Sequence, residues 1–185
     1  MIKSNLTLVC VFLRGVMPVG KNKLPIVTLR QLLTEAGFNK VTTWIQSGNV
    51  VVETDMPLKE VEQAVHRIIK DRAGPDLSVI ARTNQQLQQV LDNNPFTEGY
   101  DISRVFYTLF QEPPQADKVE LLMQNSFGEE KLVVSNNEAY MYIPGSAARS
   151  KLSNNMLEKN LGVAATTRNY NTMHKMLELS KASKS

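Results

Sequence analysis

The order in which the hydrophobic period changes constrains this chain most. Residues 6–13 (LTLVCVFL) form a nearly unbroken apolar run rich in strand formers, the pattern of a central strand buried on both faces. Ile26, Leu29, Leu32, Leu33 and Ala36 then recur at helical spacing, with Pro25 at the start and Gly37 at the stop. Residues 41–45 and 50–53 read as two strands joined by Gln46-Ser47-Gly48-Asn49, a hairpin turn signal. Leu58, Val61, Val65, Ile68 and Ile69 trace one helix face that closes near Gly74-Pro75, and residues 77–81 read as a fourth strand. The predicted order is β-α-β-β-α-β, the ferredoxin-like unit.

The order then repeats. Asn84 is placed to cap a short helix carrying Leu87, Val90 and Leu91, and residues 92–100 read as a linker. A strand over 104–110 is followed by a helix over 115–125, with Val119, Leu122 and Met123 facing inward. Strands over 132–134 and 139–143 flank an Asn136-Asn137 turn, a helix covers 150–161, and residues 163–166 form a short strand candidate. Tyr170, Met173 and Leu177 mark a last helix. The expectation is an α+β protein of two tandem ferredoxin-like units with antiparallel sheets. The first unit takes residues 1–83, a short helix and linker 84–100, the second unit with its C-terminal helix 101–179, and a frayed tail 180–185. The topology repeats without a clear repeat of residues.

A chain of 185 residues with 42% hydrophobic content can bury such cores without staples. The single Cys10 excludes an internal disulfide and points to a reducing, cytoplasmic setting. No apolar run approaches a membrane span, and the run over 6–13 ends at Arg14 without a small-residue cleavage site, so neither a membrane partner nor a signal peptide is expected.

Much familiar chemistry is missing from the sequence. His66, His174 and Cys10 cannot supply a zinc site at known spacings, and no metal or cofactor is expected. Gly15 and Gly20 lack the Gly-Lys-Ser/Thr ending of a nucleotide loop, and neither G-x-G-x-x-G nor G-x-S-x-G occurs. Glu129 and Glu130 are adjacent near a strand start and point to opposite faces, unlike an acid/base pair. Whether the chain is an enzyme stays open.

Charge is uneven. Residues 1–34 hold five bases and no acid, residues 146–185 carry net +5, and the middle carries net −7. The loop over 14–23 (RGVMPVGKNK) combines free backbone with Arg14, Lys21 and Lys23, groups that suit phosphate or carboxylate. In a β-α-β-β-α-β unit the loop after strand one and the turn after strand two share one end of the sheet. Ser47 and Asn49 therefore belong near Arg14, Lys21, Asn22 and Lys23. The same reasoning brings residues 144–151, with Lys151, near residues 166–169. The run Thr166–Thr172 (TTRNYNT) stands before a helix, so Arg168, Asn169, Asn171 and Thr172 could hold an anion at the helix N-terminus. A hairpin turn, a capped helix and solvated basic faces explain the same residues without a ligand.

Several of these motifs together resemble the bacterial family known as domain of unknown function 1697. They are Leu13-Arg14-Gly15, Gly20-Lys21-Asn22, Gln46-Ser47-Gly48-Asn49-Val50, Ser150-Lys151-Leu152 and Thr166-Thr167-Arg168-Asn169, with Asn171-Thr172 behind them. The resemblance runs from about Leu6 to Leu179 and implies a cytosolic protein of ferredoxin-like subdomains, with no activity attached. Two positions depart from the family pattern. Met17-Pro18 stands in the first loop where the family has a polar Asn, and Tyr170 stands where it often has Trp.

Three readings follow. The first is a protein that binds a phosphate- or carboxylate-bearing small molecule through Arg14, Lys21, Asn22, Lys23, Ser47, Asn49, Lys151, Arg168, Asn169, Asn171 and Thr172. The second is a nucleic-acid-binding module using the basic ends and the aromatic strands Phe106, Tyr107, Phe110, Tyr140 and Tyr142. The third is a homodimer or larger homo-oligomer that acts by interaction alone.

Overall fold

The protein is described over residues 5–181 of a computed structural model. In the first unit, β1 (Thr7–Leu13) leads through a long loop to α1 (Ile26–Glu35), and β2 (Asn39–Trp44) turns into β3 (Asn49–Thr54). Helix α2 (Leu58–Ala73) returns the chain to β4 (Val79–Thr83). The sheet order is β2-β3-β1-β4 with antiparallel neighbours, the ferredoxin-like arrangement. Alternation decides the faces. Val9, Val11, Leu13, Val50, Val52, Val79 and Ala81 pack with Leu29, Leu33, Val61, Val65 and Ile69 of the two helices. Cys10 and Phe12 point the other way and are also fully buried, which explains why β1 reads as an unbroken apolar run.

Helix α3 (Asn84–Asp92) follows β4 directly. Its cap is Thr83 rather than the expected Asn84: Gln86 N donates to Thr83 Oγ1 at 3.1 Å and Thr83 N donates to Gln86 Oε1 at 3.0 Å, a reciprocal capping box. A 3-10 turn precedes β5 (Val105–Phe110). The second unit continues with α4 (Ala116–Met123), β6 (Lys131–Val134), β7 (Glu138–Tyr142), α5 (Asn154–Leu161), β8 (Ala165–Asn169) and α6 (Tyr170–Lys181). Its sheet order, β6-β7-β5-β8, repeats that of the first. Phe110, Leu122, Met141, Leu152, Leu157 and Ala165 form its core.

Contacts divide the chain into one unit of residues 1–88 with 175–185 and another of residues 89–174. The second half of α6 therefore packs with the first sheet. Cys10 Sγ donates to Met176 O at 3.6 Å, Asn84 Nδ2 to Ser180 O at 3.5 Å and Lys181 Nζ to Gln88 Oε1 at 2.7 Å. Ser180 and Lys181, expected to begin a frayed tail, are helical, and Ser180 is buried; the rest of that tail lies outside the described residues.

Two further expectations need correction. The helix expected from Ser150 begins at Asn154, because Ser153 caps it by accepting from Met156 N at 3.2 Å. Lys151 thus lies before the helix and not at its first turn. Residues 167–169, read as a loop after a short strand over 163–166, are strand: β8 pairs with β5 from Phe110↔Ala165 to Phe106↔Asn169. A strand with a polar exposed side lacks the apolar alternation that marks strands in sequence.

Candidate functional site

The loop after β1 and the turn between β2 and β3 meet at one end of the first sheet. Leu13 N donates to Gly48 O at 2.8 Å, and Gln46 Nε2 donates to Leu24 O at 3.0 Å. Gly48 has φ +76°, and a Cβ there would lie 2.7 Å from Leu13 Cβ and 2.8 Å from Val16 Cγ2. Only glycine lets the turn close on the loop at this distance.

The loop is folded on its own hydrogen bonds. Asn22 Nδ2 donates to Gly15 O at 3.2 Å, Met17 N to Asn22 O at 3.0 Å and Lys23 N to Gly20 O at 3.1 Å. Arg14 N donates to Ser78 O at 2.9 Å, which anchors the loop base to the entry of β4. Asn22 is thus a loop brace. Asn49 is a turn brace: it is fully buried, and its Nδ2 donates to Trp44 O at 3.1 Å and to Ser47 Oγ at 2.8 Å. The Lys21 and Lys23 side chains stand at the surface of this framework. Arg14 is half-buried, and Lys21 and Lys23 are exposed. The first unit's ion pairs Lys40–Glu53 and Lys70–Asp76 are formed by other residues. Around the cations the surface is apolar as well as basic. Met17 is 51% exposed, Val19 71%, Val27 61% and Ile45 49%.

In the second unit Arg168, Asn169 and Thr172 are engaged in holding their own elements. Arg168 Nη1 donates to Thr166 Oγ1 at 2.6 Å and to Thr167 O at 2.9 Å, folding the guanidinium along β8. Asn169 Oδ1 accepts from Thr172 N at 2.9 Å, so one of the free amides in the first turn of α6 is capped from within, and Thr172 itself is buried. Asn171 is exposed in the first turn of α6. The amides of Lys151 and Leu152 already hold an anion, because Glu130 Oε2 accepts from both at 3.2 and 3.3 Å. Behind β8, Thr108 Oγ1, Thr167 Oγ1 and Asn154 Oδ1 form a chain of contacts at 2.7 and 2.8 Å.

The aromatic sheet face is covered from within the unit. Tyr107 and Tyr140 are 1% exposed. Tyr140 Oη donates to Val90 O at 2.8 Å, and Asn94 Nδ2 donates to Tyr107 Oη at 3.2 Å. Burial pushes the Tyr107 phenol up to about 12 and raises that of Tyr140 further. These two rings cannot stack on bases.

Burial pushes the Cys10 thiol up to about 12, which keeps it protonated and unreactive. His66 Nε2 lies 2.7 Å from Asp76 Oδ1 at the surface. His174 stacks on Tyr170 with centroids 4.0 Å apart, and partial burial lowers its pKa. Among the described residues no group of three or more His, Cys, Asp or Glu side chains could hold a metal ion, and no helix is long and apolar enough to cross a membrane. A cleft of about 580 Å³ in the first unit is lined by Leu6, Leu8, Glu53, Asn84 and Lys181, among others, and by none of the expected site residues.

A family model described as protein of unknown function (DUF1697) matches residues 6–140. No curated protein matches. Among solved structures, a conserved bacterial protein, SP0830 from Streptococcus pneumoniae, is similar with a TM-score of 0.75 and 20% identity, over 95% of this chain and 99% of that one. At that identity the likeness speaks for the fold alone.

Proposed function

Because the chain belongs to the DUF1697 family, whose description assigns no activity, we propose from its own residues that it binds a phosphate- or carboxylate-bearing small molecule at the loop over residues 14–24. One observation carries the reading. The loop is already folded by its own backbone and by Asn22, while the Lys21 and Lys23 side chains stand exposed beside half-buried Arg14. A preformed basic loop loses little conformational freedom when an anion arrives. Asn49 and Ser47 serve by fixing the turn beneath it. Arg168, Asn169 and Thr172 support the second unit instead, which narrows the wider set drawn from sequence. The nucleic-acid alternative loses its stacking platform with Tyr107 and Tyr140 buried.

Thermal shift with inorganic phosphate, sugar phosphates, nucleotides and dicarboxylates tests the proposal. A ligand at a hundred times its Kd raises Tm by roughly 5–10 °C for a chain of this size. The shift is expected in wild type and in Arg168→Ala, measured against its own baseline, and is expected to vanish in Lys21→Ala/Lys23→Ala. A shift that survives the double substitution, or a flat panel in wild type, overturns it.

A further inference from the structure

The loop that carries the lysines also carries unburied apolar side chains, and a soluble anion does not account for them. Met17 pairs with Lys23 as an isolated bridge, and Gln46, next to Ile45, bonds to Leu24 O, so Met17, Val19, Lys21, Lys23 and Ile45 occupy one end of the first unit. Val19 at 71% and Met17 at 51% exposure stand out from the loop. Residues 1–34 contain no acid. On the segment entering β4, which Arg14 touches through Ser78, the acid Asp76 is bridged by Lys70 at 2.8 Å.

We propose that this loop docks on an anionic lipid surface, with Met17, Val19 and Ile45 entering the headgroup boundary and Lys21 and Lys23 meeting lipid phosphates. The choice of a bilayer over a protein partner follows from the residue types. Cores of protein interfaces are poor in lysine and built from packed pockets. Interfacial membrane segments set lysine beside outward-facing apolar side chains, and each signal alone gives weak, reversible attachment. The loop supplies both signals within seven residues, 17–23. The sequence-based expectation of no membrane partner considered only spanning segments, which this loop is not. The inference rests on the anion-binding reading of the same loop and gives it a source, the lipid headgroup.

The test is co-sedimentation of the full chain with vesicles of phosphatidylcholine alone and of phosphatidylcholine mixed with phosphatidylglycerol, alongside binding of soluble glycerol phosphate. Trp44, the single tryptophan, adjoins Ile45, so its emission reports docking at this end. Wild type is expected to bind the mixed vesicles only, with a blue-shifted Trp44 emission. Met17→Ser/Val19→Ser is expected to lose roughly ten-fold in vesicle affinity and to keep glycerol phosphate binding. Lys21→Glu/Lys23→Glu is expected to lose roughly 30-fold or more in vesicle affinity, and glycerol phosphate binding with it. All four positions are exposed, and unchanged melting of the free variants checks that they fold. Binding of glycerol phosphate without vesicle binding overturns the lipid proposal and leaves the anion site standing. Absence of both overturns both. Equal vesicle affinity of the Met17→Ser/Val19→Ser variant overturns insertion, since charge alone then suffices.

Discussion

At the scale of single residues, the site end of the first unit depends on side chains whose work is internal. Gly48 is the strictest. Its φ of +76° and the 2.7 Å approach to Leu13 leave no room for a methyl group, so Gly48→Ala is expected to cost about 1–3 kcal/mol, read as a lower urea midpoint with unchanged m. Asn49→Ala is expected to fall in the same range, because it strips a buried turn of hydrogen bonds to Trp44 O and Ser47 Oγ. Burial also sets a pH limit. The Cys10 thiol titrates near 9.0 when solvated and near about 12 in the fold, so below pH 9 both states hold the proton and stability is unaffected. Between those values the unfolded chain releases a proton that the folded one keeps. Stability therefore falls as pH rises, by about 1.4 kcal/mol per pH unit from this group at most. Tyr107 and Tyr140 add to the same alkaline loss. Absorbance titration at 295 nm is expected to show both phenols ionising only with unfolding. Ionisation of all five tyrosines near pH 10 in folded protein would contradict this.

At the scale of elements, the two halves share a device although their residues do not repeat. Each sheet ends in an edge strand, β4 or β8, whose outward amide is paired by a carboxylate from the preceding helix. Glu62 of α2 accepts from Ala81 N at 2.9 Å, and Glu158 of α5 accepts from Ala165 N at 3.0 Å. Such pairing blunts an edge that could otherwise recruit another strand. Glu62 is only 5% exposed, so Glu62→Ala is expected to cost about 1–3 kcal/mol and to speed hydrogen exchange at the Ala81 amide. Glu158→Ala, at a half-buried position, is expected to cost less. In sequence both glutamates look like ordinary polar positions on amphipathic helices, and only the register of helix against strand gives them this role. Boundaries were legible where apolar period and turn residues agreed, as at Pro25, Gly37 and Gly74. They were not legible where polar residues form a strand. Thr166 to Asn169 pair with β5 through register, and the Thr108–Thr167 hydroxyl contact leaves no periodic trace.

At the scale of the whole molecule, the tandem ferredoxin-like order was readable because each half changes hydrophobic period in the same sequence, and a structure similar at TM-score 0.75 agrees with it. The approach of the loop over 14–24 to the turn at Gly48 also followed from strand direction alone. Which cations stay outside the hydrogen-bonded framework did not, because Asn22, Asn49, Arg168 and Asn169 look alike in sequence as polar loop residues and differ only in what they bond. The return of α6 to the first unit has its own consequence. A chain ending at His174 is expected to expose Cys10 to a thiol reagent that leaves the full chain unmodified without denaturant. The central claim, an anion site on the first loop, is tested most directly by titrating inorganic phosphate and glycerol phosphate into isotope-labelled protein and following backbone amides by NMR. The predicted result is a saturable set of shifts at residues 14–24 and 45–48, absent from Lys21→Ala/Lys23→Ala. Shifts centred instead on residues 150–152 and 168–172, or no shifts at all, would contradict it.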